Sequence, residues 1–497
     1  MGKKIKFAII GAGSVSFCPA TLTDILTSEK FNEAEVEIFL MDIRQAPLEI
    51  SRAYCAEAAR ALGKNPAVRA STDLREAVEG ADFVVTAVEV DRYHYWSQDF
   101  HMPRRFGFRQ VYGENGGPGG MFHFLRNAGP MLDIARAMEK GCPDAWMLNY
   151  TNPEAKLVEA VAKLTSVKVV GLCHGEQMGM DQISEFLQIP KGEIDVEAGG
   201  LNHFGWFTAI RRKSTGEDLY PLLREKEKKA DWLAHWDEYG LSRLMLRTYG
   251  LWPHPGANHI GEYIAWSDEM LASAKIQYFY DPAELDPWKA HKTPEFVYSF
   301  SSNPTDRPLY PLSEGYAGNG PNGGGKENAS SGGGGAGSGG LCESAGGAGG
   351  GGGAADPEYL RSFKLNGRVP EGSNEYGVPI AEAIAFDAPA RIGAVNVLNR
   401  GYIPNVMDNM AVEVPAVVDG GGVHPISLAP LPTAIAAMIS QQGAIHQLLI
   451  DAYAEKSKNK LLQAMLLDPT ISNYNNAVML IDAMCELQSG ILPELKW

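Results

Sequence analysis

The chain has 497 residues, 45% hydrophobic and 21% charged, an ordinary globular composition with room for two or three domains. A formal net charge of −16 argues against nucleic acid or an anionic membrane as a partner, though not against a small anion in a locally basic pocket. No stretch approaches the ~20 apolar residues of a membrane span, and Cys18, Cys55, Cys142, Cys173, Cys342 and Cys485 have no framework spacing. The lysines of "MGKKIKFAIIGAGS" imitate a signal peptide, but the apolar run behind them is shorter than the usual ~7–15 residues. The expected setting is reducing and cytoplasmic.

In chain order, "KIKFAIIGAG" reads as a buried strand and "PATLTDILTSE" as the helix after it. "VEIFLMDI" (36–43), "ADFVVTAV" (81–88), "AWMLNYTNP" (145–153) and "VKVVGLCH" (167–174) continue the strands. "PLEISRAYCAEAARALG" and "PMLDIARAMEKG" lie between them with helical spacing of apolar residues. This alternation predicts an α/β fold, a Rossmann-like doubly wound parallel sheet over residues 1–196. Residues 197–497 read as a mainly helical α+β domain, with short strands in 395–426 and amphipathic helices near the C-terminus. Within it, the low-complexity run 318–356 cannot bury enough to form a core and is expected to be a flexible excursion.

"GAGSVS" (11–16) stands between a predicted strand and a predicted helix. Gly11 permits the tight turn and Gly13 a close approach of pyrophosphate, while Ser14, Val15 and Ser16 open the helix whose N-terminus favours that charge. Ser16 replaces the third glycine of the usual fingerprint. Asp42 ends the second strand, where a carboxylate accepts both ribose hydroxyls of NAD and repels the 2′-phosphate of NADP. It lies about 26 residues past Ser16, more than the usual ~20, so the first helix or its connection must be long. Asn149 and Asn152 stand at a strand mouth, suited to a sugar hydroxyl or a nicotinamide ribose, although turn chemistry alone also explains Asn-Pro. Cys173 and His174 end another strand, with Asn202 and His203 roughly 30 residues on. One thiolate and one imidazole leave coordination positions open, as a catalytic metal needs; a buried Cys and a satisfied His are the ordinary alternative. "HMPRRFGFRQ" (101–110) brings Arg104, Arg105 and Arg109, either a solvated basic loop or an anion pocket.

"GAGS…MD", "GPGG", "NYTNP", "GLCHG", "GLNH", "GYIPN" and "VEVPAVV" together resemble the motifs of the NAD-dependent glycoside hydrolase family four, from about residue 5 to 480. That family stands outside the two-carboxylate scheme of most glycosidases. The resemblance implies a small-molecule glycoside as substrate, NAD and a divalent metal, typically Mn²⁺, as cofactors, and a homodimer or homotetramer. It implies that bound NAD⁺ oxidises the sugar at C3, which acidifies the C2 proton. A base then removes that proton, the glycosidic oxygen leaves with help from an acid, and water adds before the hydride returns. Carried over by motif, Cys173 and His203 hold the metal, His174 is the general acid, and Asn152 holds substrate. Asn202, Arg126 and Glu114 are further candidate substrate contacts, and Asn149 joins the cofactor set.

Two departures follow. No Asp stands in "WPHPGANHIGEYIAW" (252–266), where relatives carry the C2 base as Tyr or Asp. His259 and Tyr263 are the candidates there, with Glu262 reading as structural. Subfamilies acting on 6-phosphosugars carry Asn or Asp after the metal cysteine, and His174 stands there instead, which implies an unphosphorylated sugar. "HIGEY" is most similar to the α-galactosidase-type members, while the three arginines keep a glucuronide or galacturonide open. A lactate/malate-type dehydrogenase would share the fold and the Asn-Pro strand end but would not need the Cys-His pair. A non-catalytic NAD sensor would need neither metal ligand.

Overall fold

The computed structural model describes residues 3–229, 239–270, 276–279, 287–290, 292–298 and 363–497, so the glycine-rich run at 318–356 lies outside the described residues. β1 (Lys4–Ile10) carries apolar residues on both faces, as a central parallel strand must. Phe7 and Ile9 enter one core with Leu22 and Ile25 of α1 (Phe17–Thr27) and Leu48 and Cys55 of α2 (Gln45–Ala61). Ala8 and Ile10 enter the opposite core, alternating with period two.

The strands that follow are β2 (Glu35–Met41), β3 (Ala67–Ser71), β4 (Phe83–Thr86), β5 (Trp146–Asn149) and β6 (Lys168–Gly171). All pair in parallel, in the order β3-β2-β1-β4-β5-β6. Between them run α3 (Leu74–Val78), α4 (Arg92–Arg105), α5 (Gly117–Gly141) and α6 (Glu154–Leu164), and α7 (Gly175–Leu187) follows β6. The order reverses between β1 and β4, the switch point at which open α/β sheets leave a crevice outside their carboxyl ends.

β7 (Ile194–Leu201) and β8 (Phe204–Arg212) form a hairpin, followed by α8 (Tyr220–Lys229), α9 (Gly240–Tyr249) and the short α10 (Ala257–Gly261). β9 (Ile276–Phe279) and β10 (Glu295–Tyr298) pair apart from the main sheet. After α11 (Gly377–Phe386) come β11 (Ala390–Leu398), β12 (Ala411–Asp419) and β13 (Gly422–Pro425). The chain closes with α12 (Thr433–Glu455), α13 (Lys458–Leu467) and α14 (Tyr474–Leu487), which pack onto α5 and seal the core holding Ala8 and Ile10.

The β11–β12 pair sits between β6 and β7, so among the described residues one sheet of 11 strands runs through both halves. The division expected at 196/197 falls inside β7. Among the described residues no helix is long and apolar enough to cross a membrane.

Candidate active site

A cleft of about 560 Å³ opens at the carboxyl ends of β1, β2 and β4 and is lined by Gly11, Gly13, Ser14, Ser16, Asp42 and Asn152. The backbone needs glycine here. Gly11 has φ +85°, and a Cβ on it would lie 2.2 Å from the Ala87 carbonyl oxygen. A Cβ on Gly13 would lie 2.8 Å from both Asp42 Oδ2 and Pro47 Cβ. The Asp42 carboxylate accepts the Gly13 N–H at 2.9 Å and the Arg44 N–H at 3.0 Å, which ties the turn after β1 to the end of β2.

The side chains of two residues expected at the cofactor turn away from the cleft. That of Val15 is buried in the core, where an apolar group gains more from packing, and leaves the backbone as its contribution to the turn. Asn149 is fully buried and accepts from Thr86 and from the Thr151 N–H while donating to the Thr151 carbonyl, so its amide builds the turn after β5.

Beside the cleft, loops from distant parts of the chain gather cation-type donors. Cys173 follows β6 and His174 stands at the N-terminal end of α7. Asn202 and His203 form the two-residue turn between β7 and β8, His203 with φ +61°. Glu114 comes from the α4–α5 connection and His259 from α10. One ligand atom each of Glu114, His203 and His259 lies within 4.8 Å of the others. The two imidazoles stack with centroids 4.1 Å apart, and Asn115 Nδ2 stands 2.9 Å from His203 Nδ1. Cys173 stands outside this trio, next to Asn202 and His174. Arg92 connects the two regions, because it lines the cleft and donates to Glu114 at 2.5 Å and to Glu89 at 3.4 Å.

Burial, and then the neighbouring His259, hold the His203 imidazole well below its ordinary pKa, so it is neutral, as a ligand must be. Burial pushes the Cys173 thiol up to about 12. Only a cation alongside would make it a thiolate at neutral pH. The Asn202 Oδ1 is buried and without a hydrogen-bond partner, while its Nδ2 donates to Glu413 at 3.4 Å. An imidazole kept neutral, a carboxylate, a second imidazole and a thiol fit a divalent cation better than they fit one another.

Two further expectations are corrected. Arg126 is fully buried, with both terminal nitrogens on Asp99 and one of them also on Gln488, because a guanidinium sealed in the interior must be paired. Tyr263 is 4% exposed and stacks on Phe204 inside an apolar cluster, which leaves His259 as the base candidate lying at the site. The Glu262 carboxylate accepts the N–H groups of Glu114, Asn115 and Gly116, while burial and then Glu114 push it up to about 8. Arg104 donates to the Gln110 carbonyl at the end of α4, and Arg109 pairs with Asp268 at 3.5 Å.

Residues not singled out as site candidates also meet here. His254 pairs with Glu413 at 2.8 Å, both 1% exposed, and a Cβ on Gly175 would lie 3.5 Å from His254 and 3.6 Å from the Cys173 sulfur. Glu154 is buried with neither oxygen hydrogen-bonded, and burial followed by Glu413 raises its pKa well above the usual carboxyl range.

A switch-point crevice with glycine turns, and a buried donor cluster beside it, define a Rossmann-like α/β protein built for a nucleotide and a cation together. Residues 6–189 match the model of the family 4 glycosyl hydrolases, and residues 198–471 that of the family 4 glycosyl hydrolase C-terminal domain. An alpha-glucosidase of Erwinia rhapontici is 31% identical over 99% of both chains. An alpha-galactosidase of Bacillus subtilis is 27% identical over 99% of this chain and 100% of its own. A crystal structure of a 6-phospho-alpha-glucosidase from gut microorganisms, in complex with NAD and Mn²⁺, shares the fold with a TM-score of 0.72. It is 22% identical and covers 99% of this chain and 100% of its own. The chain belongs to family 4 of the glycosyl hydrolases.

Proposed function

We propose that the protein hydrolyses unphosphorylated α-glycosides, α-galactosides first, using NAD⁺ and a divalent cation such as Mn²⁺. The observation that carries this reading is the Arg92–Glu114 contact, which joins the glycine-turned cleft to the donor trio of Glu114, His203 and His259. When bound, the dinucleotide supplies reversible hydride transfer and the cation supplies Lewis-acid polarisation.

The chain's own residues do the rest. Asp42 accepts the ribose hydroxyls, and the start of α1 favours the pyrophosphate charge. His203 and Cys173 hold the cation, with Glu114 as a further donor within reach. Asn152 and the unpartnered Asn202 oxygen are placed to hold sugar hydroxyls. His174 protonates the departing glycosidic oxygen, a task suited to an imidazole near neutral pH, and His259 is the candidate for removing the C2 proton. A phosphorylated sugar would have to compete with Glu89 and Glu114 for Arg92, which supports the unphosphorylated reading. Exposed Leu466, Leu467, Tyr474, Met479 and Trp497 on and after α13 support a homo-oligomer.

The test is turnover of nitrophenyl α-galactoside, α-glucoside and the two uronides in D₂O with NAD⁺ and Mn²⁺. The reading expects deuterium at C2 of the released sugar and no net NADH. Active turnover with no deuterium at C2 would overturn it, and NADH accumulating with substrate would point to a dehydrogenase.

A further inference from the structure

The segment ahead of α11 is bound from several sides. The Ser373 N–H and hydroxyl both donate to the Asp24 carboxylate on α1. The Glu375 N–H donates to Ser373 Oγ at 3.1 Å. The Tyr376 hydroxyl donates to Glu176 at 2.5 Å and accepts from Gln177 at 2.7 Å, both residues in the first turn of α7. The Gly377 N–H donates to the hydroxyl of Tyr150, a residue that lines the cleft and stacks on Phe17 of α1 with centroids 4.6 Å apart. A Cβ on Gly393 would lie 2.8 Å from both Glu176 and the Tyr376 oxygen, so the strap has little room to shift.

Residues 373–377 thus connect the first helix, the end of β5 and the start of α7. Between these anchors Glu375 reaches His174, with Oε1 3.2 Å from Nδ1. The His174 and Glu375 side chains retain only 20% and 16% of their exposure. An exposed ion pair at such a distance contributes little. Here the carboxylate is fixed at both ends of its segment, and its partner is the histidine beside the gathered donors.

We propose that Glu375 is a positioning residue for His174. Its carboxylate, the ion-pair partner of Nδ1, holds the ring orientation and favours Nδ1–H over Nε2–H in the neutral imidazole. Nε2 is then the nitrogen that carries the second proton of the imidazolium and gives it to the departing glycosidic oxygen, leaving the Nδ1–H neutral ring. The same logic holds for metal-bound histidines, where loss of the partner on the other ring nitrogen typically costs about 10–100-fold. This inference rests on the reading of His174 as the acid, and the experiment separates the two.

The full chain, with NAD⁺ and diamagnetic Mg²⁺ in place of Mn²⁺, is compared as parent, Glu375→Ala and Glu375→Gln by ¹⁵N NMR of the imidazoles. The His174 signals are assigned by their loss in His174→Gln. The parent is expected to show the Nδ1–H tautomer, Glu375→Ala to lose it, and Glu375→Gln to retain it because an amide oxygen still accepts. With Mn²⁺ restored, Glu375→Ala is expected to lower kcat on a methyl glycoside by about 10–100-fold, with KM and NAD⁺ affinity unchanged. The loss on the nitrophenyl glycoside is expected to be smaller, since that leaving group needs little protonation. Glu375→Gln should recover part of the methyl-glycoside rate. An unchanged His174 tautomer in Glu375→Ala would overturn the proposal, as would a loss appearing in KM or NAD⁺ affinity rather than kcat. If His174→Gln slows both glycosides equally, the acid role fails, and the tautomer comparison still decides whether Glu375 positions the ring.

Discussion

Replacing Asp42 with Ala should reset cofactor choice. The carboxylate lies at the rim of the cleft, 8% exposed, held by the N–H groups of Gly13 and Arg44. A 2′-phosphate would bring a charge of about −1.5 to −2 against it. At about 4 Å each unit of charge costs about 1 kcal/mol in water and about 4 at an effective dielectric constant near 20. Arg44, next in the same loop and also lining the cleft, offsets part of this. A floor of about 1.4 kcal/mol remains, a tenfold preference for NAD over NADP. Removing the carboxylate abolishes the repulsion and leaves Arg44, so the ratio of the two affinities should fall by about tenfold or more. The lost acceptor for Gly13 weakens both cofactors alike and cancels in that ratio. Fluorescence titration with NADH and NADPH at one fixed ionic strength reads it directly, since salt screens the effect. Equal affinities in the parent, or the same ratio before and after the substitution, would refute the reasoning.

Asp99→Asn should destabilise the fold by about 3–5 kcal/mol, because it strands the buried Arg126 guanidinium, and urea denaturation measures it. The KM for glycoside in the folded fraction should not change; a raised KM would return Arg126 to the substrate. Asp24 gives a pH dependence, since burial lifts its carboxyl from 3.8 to about 6 against the pull of Ser373. A folded-state pKa above the unfolded one contributes stability that is full below 3.8 and lost as pH rises through about 6, at most about 3 kcal/mol. Asp24→Asn should therefore gain on the parent in denaturation midpoint between pH 4 and 7, whereas a pH-independent difference would rule this out.

The cleft was legible in the sequence because local backbone demands wrote it. Gly11 and Gly13 are dictated by the approach of Ala87 and Asp42, and a buried run ending in such residues announces a strand tip. β3 left no comparable mark, since "AVRAS" is half-exposed at the sheet edge and lacks a continuous apolar run. α4 was hidden for the opposite reason. "RYHYWSQDFHMPRR" buries Gln98, Asp99 and His101, so its helical period is not an apolar one. Arg126 and Tyr263 show where motif logic stops, because a residue type says what a side chain can pair with and not which neighbour the fold supplies. Glu375 and Glu413 meet the Cys173–His174 corner from about 200 residues downstream, and no spacing rule reaches across that separation.

The place of the β11–β12 pair in the sheet has a consequence for how the chain is made. Asn396 pairs with Gly171, and Glu413 with Gly200, so the central seam waits for residues more than 200 positions away. At about 5–20 residues per second of synthesis, β6 and the β7–β8 hairpin stand for roughly 10–45 s with open edges. An unpaired edge is a template for pairing with another chain. The seam beside Cys173 and His203 therefore closes only once β11 and β12 have been made, late in synthesis.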